Sequence, residues 1–550
     1  MSLETKIKTL GLDGEVLASE HDRMLAAYDA SIFEVVPEVV VKPKTVEDVK
    51  KLVRFAATEK PHNPKISLTA RAAGTCMSGG SLNESIILDF TANLNRIGQV
   101  GDAWAEVEPG AYWRDFEKAT LKHNLIMPSY PASKHLCAVG GVVANNSGGE
   151  KSLSYGKTEN YVEELHVVLS DGNEYVIKPL HEKDLEIKLK LSTFEGELYR
   201  KIYHLINSNY EMLAAAKPKV SKNSAGYYLW NVWDKKDRIF NLCKLIVGSQ
   251  GTLGIITKVK FALVRPKPKA KLLVMFLNDI SQLGKIIDEV LTFKPETFES
   301  YDNHTFSLAM RFLPGILKRM KGNAVKLFFQ FMPEIGMVLT GGVPKLVLIA
   351  EFTGYDDQSV NSQALAAQKA IMGKFKLKTH ITKNEQEASK YWTVRRESFN
   401  LLRQHVSGKH TAPFIDDITV RPEFLPEFLP ALNEIFKRYP SLIYTVAGHM
   451  GDGNFHIIPL MDLSNPKERE LIPKISEEVY DLVLKHNGSI DAEHNDGIIR
   501  TPYLEKMFGK DIMGLFKETK QIFDPLNIFN PGKKVGGTLK YAMSHIRQKY

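Results

Sequence analysis

Cysteine is scarce in this chain. Cys76, Cys137 and Cys243 stand far apart in 550 residues, and no two of them form a C-x-x-C pair. That spacing argues against an internal iron–sulfur cluster, a cysteine-ligated zinc site or a disulfide framework, so a reducing compartment is expected. Long apolar runs are also missing. No uninterrupted stretch approaches the roughly 20 residues of a membrane-spanning helix. The opening MSLETKIKTLG has no apolar core of a secretory signal, which makes a cytoplasmic location the expectation. Nor is there a strong charge of one sign. Seventy-two Lys and Arg against 64 Asp and Glu give +8, a balance that allows an acidic substrate or an anionic surface without requiring nucleic acid. Internal repeats and low-complexity segments are absent as well.

The chain does have a globular composition: 43% hydrophobic, 25% charged and 9% aromatic residues. Those shares exclude disordered, collagen-like and coiled-coil classes. The length favours about two to four domains. The first thirty-odd residues read as a short helical lead. VVPEVVVKPKT, from Val35, reads as β-structure, and TVEDVKKLVRFAATEK as an amphipathic helix with Val46, Val49, Leu52, Val53 and Ala56 on one face. Thr45 is its expected N-cap, with Asp48 three residues on. Short strands alternating with single helices indicate an α/β or α+β layer domain. ELHVVLSDGNEYVI reads as a hairpin with a D-G turn, and LIVGSQGTLGIITKVKFAL as strand–turn–strand. Prolines and lysines in RPKPKAK mark a domain boundary near Pro268.

Three groups of residues can carry chemistry. His449 and His456 bracket a glycine-containing turn, and Glu493 and His494 follow in DAEHNDG. Two imidazoles and a carboxylate match a catalytic metal set with one position open, suited to zinc, manganese or iron. The alternative is separate packing or surface roles for each. The second group is RAAGTCMSGG and AVGGVVANNSGG. Neither is G-x-G-x-x-G, yet such loops can cradle a pyrophosphate through backbone N–H groups; tight turns and bulges explain them equally well. The third is Arg395-Arg396 in WTVRRESF, suited to a substrate carboxylate or simply to a solvated helix face. Residues 305–345 are apolar and basic, carrying Arg311, Lys318, Arg319, Lys321, Lys326 and Lys345. They offer peripheral contact with an anionic membrane or a partner, or an insertion packed on its own domain.

Five motifs in order, RAAGTCMSGG, PASKHLCAVGGVVANNSGG, GSQGTLGIIT, GHMGDGNFH and EHNDGIIRTPYLEKMFG, resemble the FAD-linked dehydrogenases of the vanillyl-alcohol oxidase and p-cresol methylhydroxylase superfamily. Within it, the chain is similar to the D-2-hydroxy acid dehydrogenases that oxidise D-lactate, glycolate or D-2-hydroxyglutarate. The resemblance runs from about Asp29 to Lys533. It implies an α+β fold: a helical lead (1–34), a two-subdomain FAD-binding domain (35–268), a substrate domain with a large antiparallel sheet (269–480), and a C-terminal segment (481–550) returning to the FAD.

The resemblance also implies roles. Arg71, Ala72, Ala73, Gly74, Thr75, Ser78 and Gly79 would form the pyrophosphate loop. Pro131, Ala132, Ser133, Gly140, Gly141, Asn145, Ser147 and Gly148 would line the cofactor, and Gln250, Gly251, Thr252, Gly254 and Ile256 would make its last contacts before the substrate domain. Asn530 would return to the flavin side. Gly74-Thr75 stands where a tethering histidine occurs in relatives with covalent flavin, so non-covalent FAD is expected. His449, His456 and Glu493 would bind a divalent metal, His494 would be the base, and Arg395 would hold the substrate carboxylate. Two departures stand out: Asn495 occupies an often-glycine position, and Ile458 replaces an Asn that D-2-hydroxyglutarate enzymes carry. The implied activity is oxidation of a D-lactate-like 2-hydroxy acid, with electrons passing to a separate iron–sulfur protein, electron-transfer flavoprotein or quinone. Alternatives are a D-2-hydroxyglutarate or glycolate dehydrogenase subunit, a redox-neutral enzyme of the alkyl-ether-lipid synthase type, or a non-catalytic FAD-binding subunit.

Overall fold

The computed structural model describes residues 1–303, 305–307, 342–405 and 408–549, without the side chains of 397–405. The basic apolar segment 305–345, read either as a membrane or partner contact or as an insertion packed on its own domain, lies outside the described residues apart from its two ends.

The first sheet is small and mixed. Its strands are β1 (Glu15–Leu17), β2 (Val39–Lys42), β3 (Leu68–Arg71) and β4 (Ile86–Asp89), in the order β1-β2-β4-β3. β4 runs parallel to both β2 and β3. Parallel neighbours need a crossover, and the helix Val46–Glu59 supplies it between β2 and β3. The Thr45 hydroxyl accepts from the Asp48 amide and Asp48 reaches back to the Thr45 amide, so the expected cap is a full capping box. Val49, Leu52, Val53 and Ala56 are buried on the sheet. The N-terminal lead is not purely helical, because β1 pairs antiparallel with β2.

The second sheet is antiparallel. It holds β5 (Ile97–Val100), β6 (Trp104–Val107), β7 (Val162–Val168) and β8 (Glu174–Ile177). After a minor sheet of β9 (Leu180–His181), β10 (Trp233–Asp234) and β11 (Ile239–Phe240) comes the long β12 (Ile255–Ala262). The order is β5-β6-β12-β7-β8, and β7–β8 is the expected D-G hairpin. Two segments depart from the sequence expectation. The apolar run before Gly248 is the short helix Cys243–Ile246, not a strand. The Asn241 side chain caps the Cys243 amide, and the backbone then turns so that Gly248 and Gln250 donate to Val143 and Ala144. Those partners, remote in sequence, decide a segment whose apolar run alone cannot separate helix from strand. Likewise, AVGGVVANNSGG is not all loop: Val139–Ala144 is helical.

The second half is built on one antiparallel sheet of β13 (Lys269–Leu277), β14 (Thr297–Asp302), β15 (Leu346–Gly354), β16 (Lys378–Ile381), β17 (His410–Thr411), β18 (Ile418–Thr419), β19 (Ile443–His449) and β20 (Asn454–Met461). The order is β16-β13-β15-β14-β19-β20-β17, with β18 also on β20. Helices Leu283–Thr292, Asp357–Lys374, Leu425–Lys437 and Leu471–Lys485 contribute to its core through residues such as Ile287, Ala364, Phe428 and Val479. The C-terminal segment then packs back on the first half. Leu504, Ile512 and Phe516 of helix Leu504–Phe523 join the core containing Tyr199 and Ile202.

Candidate active site

The hairpin β19–β20 brings together two histidines that are seven residues apart. Register pairs Ala447 with His456 and His449 with Asn454, so both imidazoles stand on one face of the sheet. Gly453, in the connecting turn, has φ +62°, and a Cβ there would strike the Val420 carbonyl. The rings lie 5.1 Å apart, nearly perpendicular. Their Nε2 atoms converge on one oxygen: Glu493 Oε1 is 3.2 Å from His449 Nε2 and 3.5 Å from His456 Nε2.

The reverse side of each ring meets a buried acid. His449 Nδ1 is 2.5 Å from Glu299 Oε1, on β14, and His456 Nδ1 is 3.1 Å from Asp416 Oδ1. Such carboxylate–imidazole pairs orient ligand histidines in metal sites. His494 stacks on His456 at 5.1 Å, with its Nδ1 3.0 Å from Asp416 Oδ2. That distance is a hydrogen bond's, but the angle is not, and both atoms lack another partner among the described residues. Potential ligand atoms of Asp417, His456, Glu493 and His494 also fall within 4.8 Å of one another. Asp417 is better read as a backbone anchor. Its Oδ2 accepts from the amides of Ala492, Glu493 and His494, and its Oδ1 from Asn454, which leaves little capacity for an ion.

Charge is concentrated here. Lys222, buried, donates to Glu493 Oε2 at 3.1 Å and lies 3.3 Å from Asp452 Oδ2. Burial disfavours ionisation of Glu493, but Lys222 and His449 outweigh it and hold the carboxyl well below its usual range. Burial also opposes the charged imidazoles, yet Glu299 pushes His449 up to about 9, and Asp417 and Asp416 push His494 up to about 10. Arg395 lies 3.2 Å from Glu299 through Nη2, while its buried Nε has no partner among the described residues. An orphaned guanidinium donor in a cavity wall is suited to a carboxylate. Arg396 instead pairs with Glu150 at 2.6 Å and lies over Trp392.

Glu299, Arg395, Asp416, His449, His456, Glu493 and His494 line a cavity of about 980 Å³ whose other wall is the glycine-rich part of the first half. Residues 37–178 match the family described as FAD binding domain, and 266–534 match FAD linked oxidases, C-terminal domain. The chain belongs to the FAD-linked oxidases.

This FAD-linked oxidase is 27% identical to a D-2-hydroxyglutarate dehydrogenase of Pseudomonas putida, over 96% of this chain and 51% of that protein. It is 27% identical to a D-lactate dehydrogenase of Archaeoglobus fulgidus, over 90% and 91%, and 26% identical to the glycolate oxidase subunit GlcD of Bacillus subtilis, over 94% and 93%. The chain spans about half the length of the first of these relatives. Among solved structures, p-cresol methylhydroxylase with substrate bound superposes with a TM-score of 0.67 at 16% identity, covering 98% of this chain and 96% of that one. An alkyldihydroxyacetonephosphate synthase reaches 0.67 at 13% identity, covering 96% and 85%. These likenesses show the fold.

The cavity fits FAD. At Gly141 an added Cβ would find only the Ala72 Cβ, at 3.5 Å, and at Gly251 only the Ala70 Cβ, at 3.9 Å. Gly141 lacks a side chain on the cavity wall although the protein leaves room for one, as expected of a cradle for a close-fitting ligand; Gly251 has φ +68°, which favours glycine on backbone grounds alone. Arg71 to Thr75, Pro131 to Ser133, Gly140, Gly141, Asn145, Ser147, Gly148, Gln250, Gly251, Gly254 and Ile256 all line it. Ser78, Gly79, Thr252 and Asn530 stand behind the wall. Ser78 accepts the Ile498 amide, Thr252 bonds the Tyr227 hydroxyl at 2.6 Å, and Asn530 donates to Gly80 and Gln250 carbonyls at 2.8 and 2.7 Å.

Sequence reasoning missed Glu299, Asp416 and Lys222. The first had a faint signal, an acid inside the strand TFESYD; the Asp416-Asp417 pair inside apolar FIDDITV was another. Lys222, in a polar loop, carried none.

Proposed function

We propose that this chain carries out FAD-dependent oxidation of a small D-2-hydroxy acid, D-lactate-like, to the 2-oxo acid. The carrying observation is that one cavity holds the glycine cradle, the unpartnered Arg395 donor and two imidazoles aimed at Glu493. The family match supports the redox class.

Bound FAD would supply the hydride acceptor, and a divalent ion held by His449, His456 and Glu493 would supply positive charge beside the substrate hydroxyl. Arg395 binds the substrate carboxylate and thereby orients the carbon that loses hydride. His494 accepts the hydroxyl proton. Asp416 and Asp417 otherwise keep its ring protonated up to about 10, so proton acceptance at neutral pH needs a second positive charge in the pocket. Among the described residues, the sheet face beside His456 offers Thr445, Ala447 and Ile458, a surface that favours a short apolar substituent over a second carboxylate. Electrons leave to a separate acceptor, an iron–sulfur protein, an electron-transfer flavoprotein or a quinone.

The test is anaerobic bleaching of the flavin absorbance against D- and L-lactate, glycolate and D-2-hydroxyglutarate. Bleaching fastest with D-lactate is expected. Fastest bleaching with D-2-hydroxyglutarate reassigns the substrate, and no bleaching by any hydroxy acid overturns the oxidation itself.

A further inference from the structure

We propose that Asp416 is a positioning residue that sets two functional imidazoles at once, presenting His456 and His494 with their Nε2 atoms toward the reaction. The jobs of those two rings rest on the function proposed above; the placement does not. Asp416 is fully buried and precedes β18 by two residues. Its backbone carbonyl is held by the Arg500 guanidinium, itself fully buried, so the residue has a fixed base. One carboxylate oxygen hydrogen-bonds His456 Nδ1 at 3.1 Å, and the other stands at ion-pair distance, 3.0 Å, from His494 Nδ1 without hydrogen-bond alignment. The two rings stack 23° from parallel with centroids 5.1 Å apart, so both present their Nδ1 edges to Asp416 from the same side.

The consequence is chemical. An imidazole that keeps its proton on Nδ1 can offer only Nε2 as a ligand or a proton acceptor. For His456 that atom is the one facing Glu493 Oε1. Only an acceptor with two oxygens can serve both rings together, because an amide has one oxygen and would turn its NH₂ toward the other ring's N–H. Asp417 cannot substitute, since its oxygens already serve backbone amides and Asn454. Glu299 does the corresponding work for His449, but for one ring only.

The full-length holoprotein tests this in two ways. In ¹⁵N-histidine-labelled protein, with signals assigned through His456→Gln and His494→Gln, His456 should show a slowly exchanging low-field Nδ1–H, and His494 should carry a proton on Nδ1 beside Asp416. Asp416→Asn should remove at least one of them. Zinc or manganese affinity by equilibrium dialysis should fall about 10- to 100-fold in Asp416→Asn, FAD content should stay unchanged, and Asp416→Glu should recover part of the loss. A bare Nδ1 on either ring of the wild type overturns the proposal, and so does an Asp416→Asn protein with wild-type spectra and metal affinity. If Asp416→Asn does not fold, the wild-type spectrum alone decides. A wild type that binds neither metal sinks the function proposed above and leaves the Nδ1–H result to judge Asp416.

Discussion

At residue scale, the site is an alternation of acids and bases whose separate burial would be prohibitive. Glu493 stays ionised because Lys222 and two imidazoles surround it. His494→Ala should leave FAD bound and lower the rate of flavin reduction by roughly 10²- to 10⁴-fold, the range for a lost general base. Stopped-flow reduction at wild-type speed would remove His494 from the reaction. Dialysis against a chelator should lower the same rate, and a returned divalent ion should restore it; full activity in metal-free protein would count against the ligand role of His449, His456 and Glu493. A different residue sets a pH dependence of folding. Burial, then the charge of Glu150, pushes Glu351 up to about 7. A carboxyl with a raised folded pKa binds more protons folded than unfolded. Its contribution therefore erodes as pH rises from about 4.3 through 7, then levels off. Denaturant melts of Glu351→Gln should lack that part of the slope; an unchanged profile would contradict the assignment.

At the scale of single elements, the helix Val139–Ala144 shows two neighbouring glycines with different reasons. A Cβ on Gly140 would sit 2.7 Å from the Pro109 Cβ and 3.0 Å from its carbonyl, so this glycine is a packing requirement. A Cβ on Gly141 meets nothing closer than 3.5 Å and would project toward the cofactor cradle. Gly140→Ala should therefore lower the melting temperature, whereas Gly141→Ala should fold normally and retain less FAD after gel filtration. Equal melting temperatures for the two would refute the distinction. The pattern of small residues was legible in the sequence; which glycine is crowded by the protein and which faces open space was not, because Pro109 is remote along the chain. The capping box at Thr45 and the hairpin β7–β8 were fully legible, since both depend on residues within a few positions.

Across the whole molecule, the C-terminal segment acts as a buried tie. Asn530 joins Gly80, Gln250 and Thr69, which come from three separate parts of the first half. Lys534 pairs with Asp496 at 2.9 Å and donates to Ser224 and Gly226 carbonyls, all fully inside. Asn530→Ala would strand buried carbonyls, at a cost of about 1–3 kcal/mol each. It should lower the melting temperature and FAD retention together, because Asn530 reaches the cavity only through the Gly80 and Gln250 backbone it holds. Loss of FAD with no thermal shift would instead make Asn530 a direct ligand.

The sequence by itself determined the elements whose signals are local: the alternating strands, the amphipathic helix after Thr45, the turn between His449 and His456, and the motif order that carries the family. Only the tertiary structure decided that Lys222 meets Glu493, that Glu299 backs His449, that Asp416 stands beside two rings, and that Asn530 holds the Gly80 and Gln250 carbonyls from behind. Periodicity and turn chemistry are written in neighbouring residues, whereas a buried charge finds its partner only after sheets and helices have closed over it. Lys222 and Glu493, for example, stand 271 positions apart along the chain.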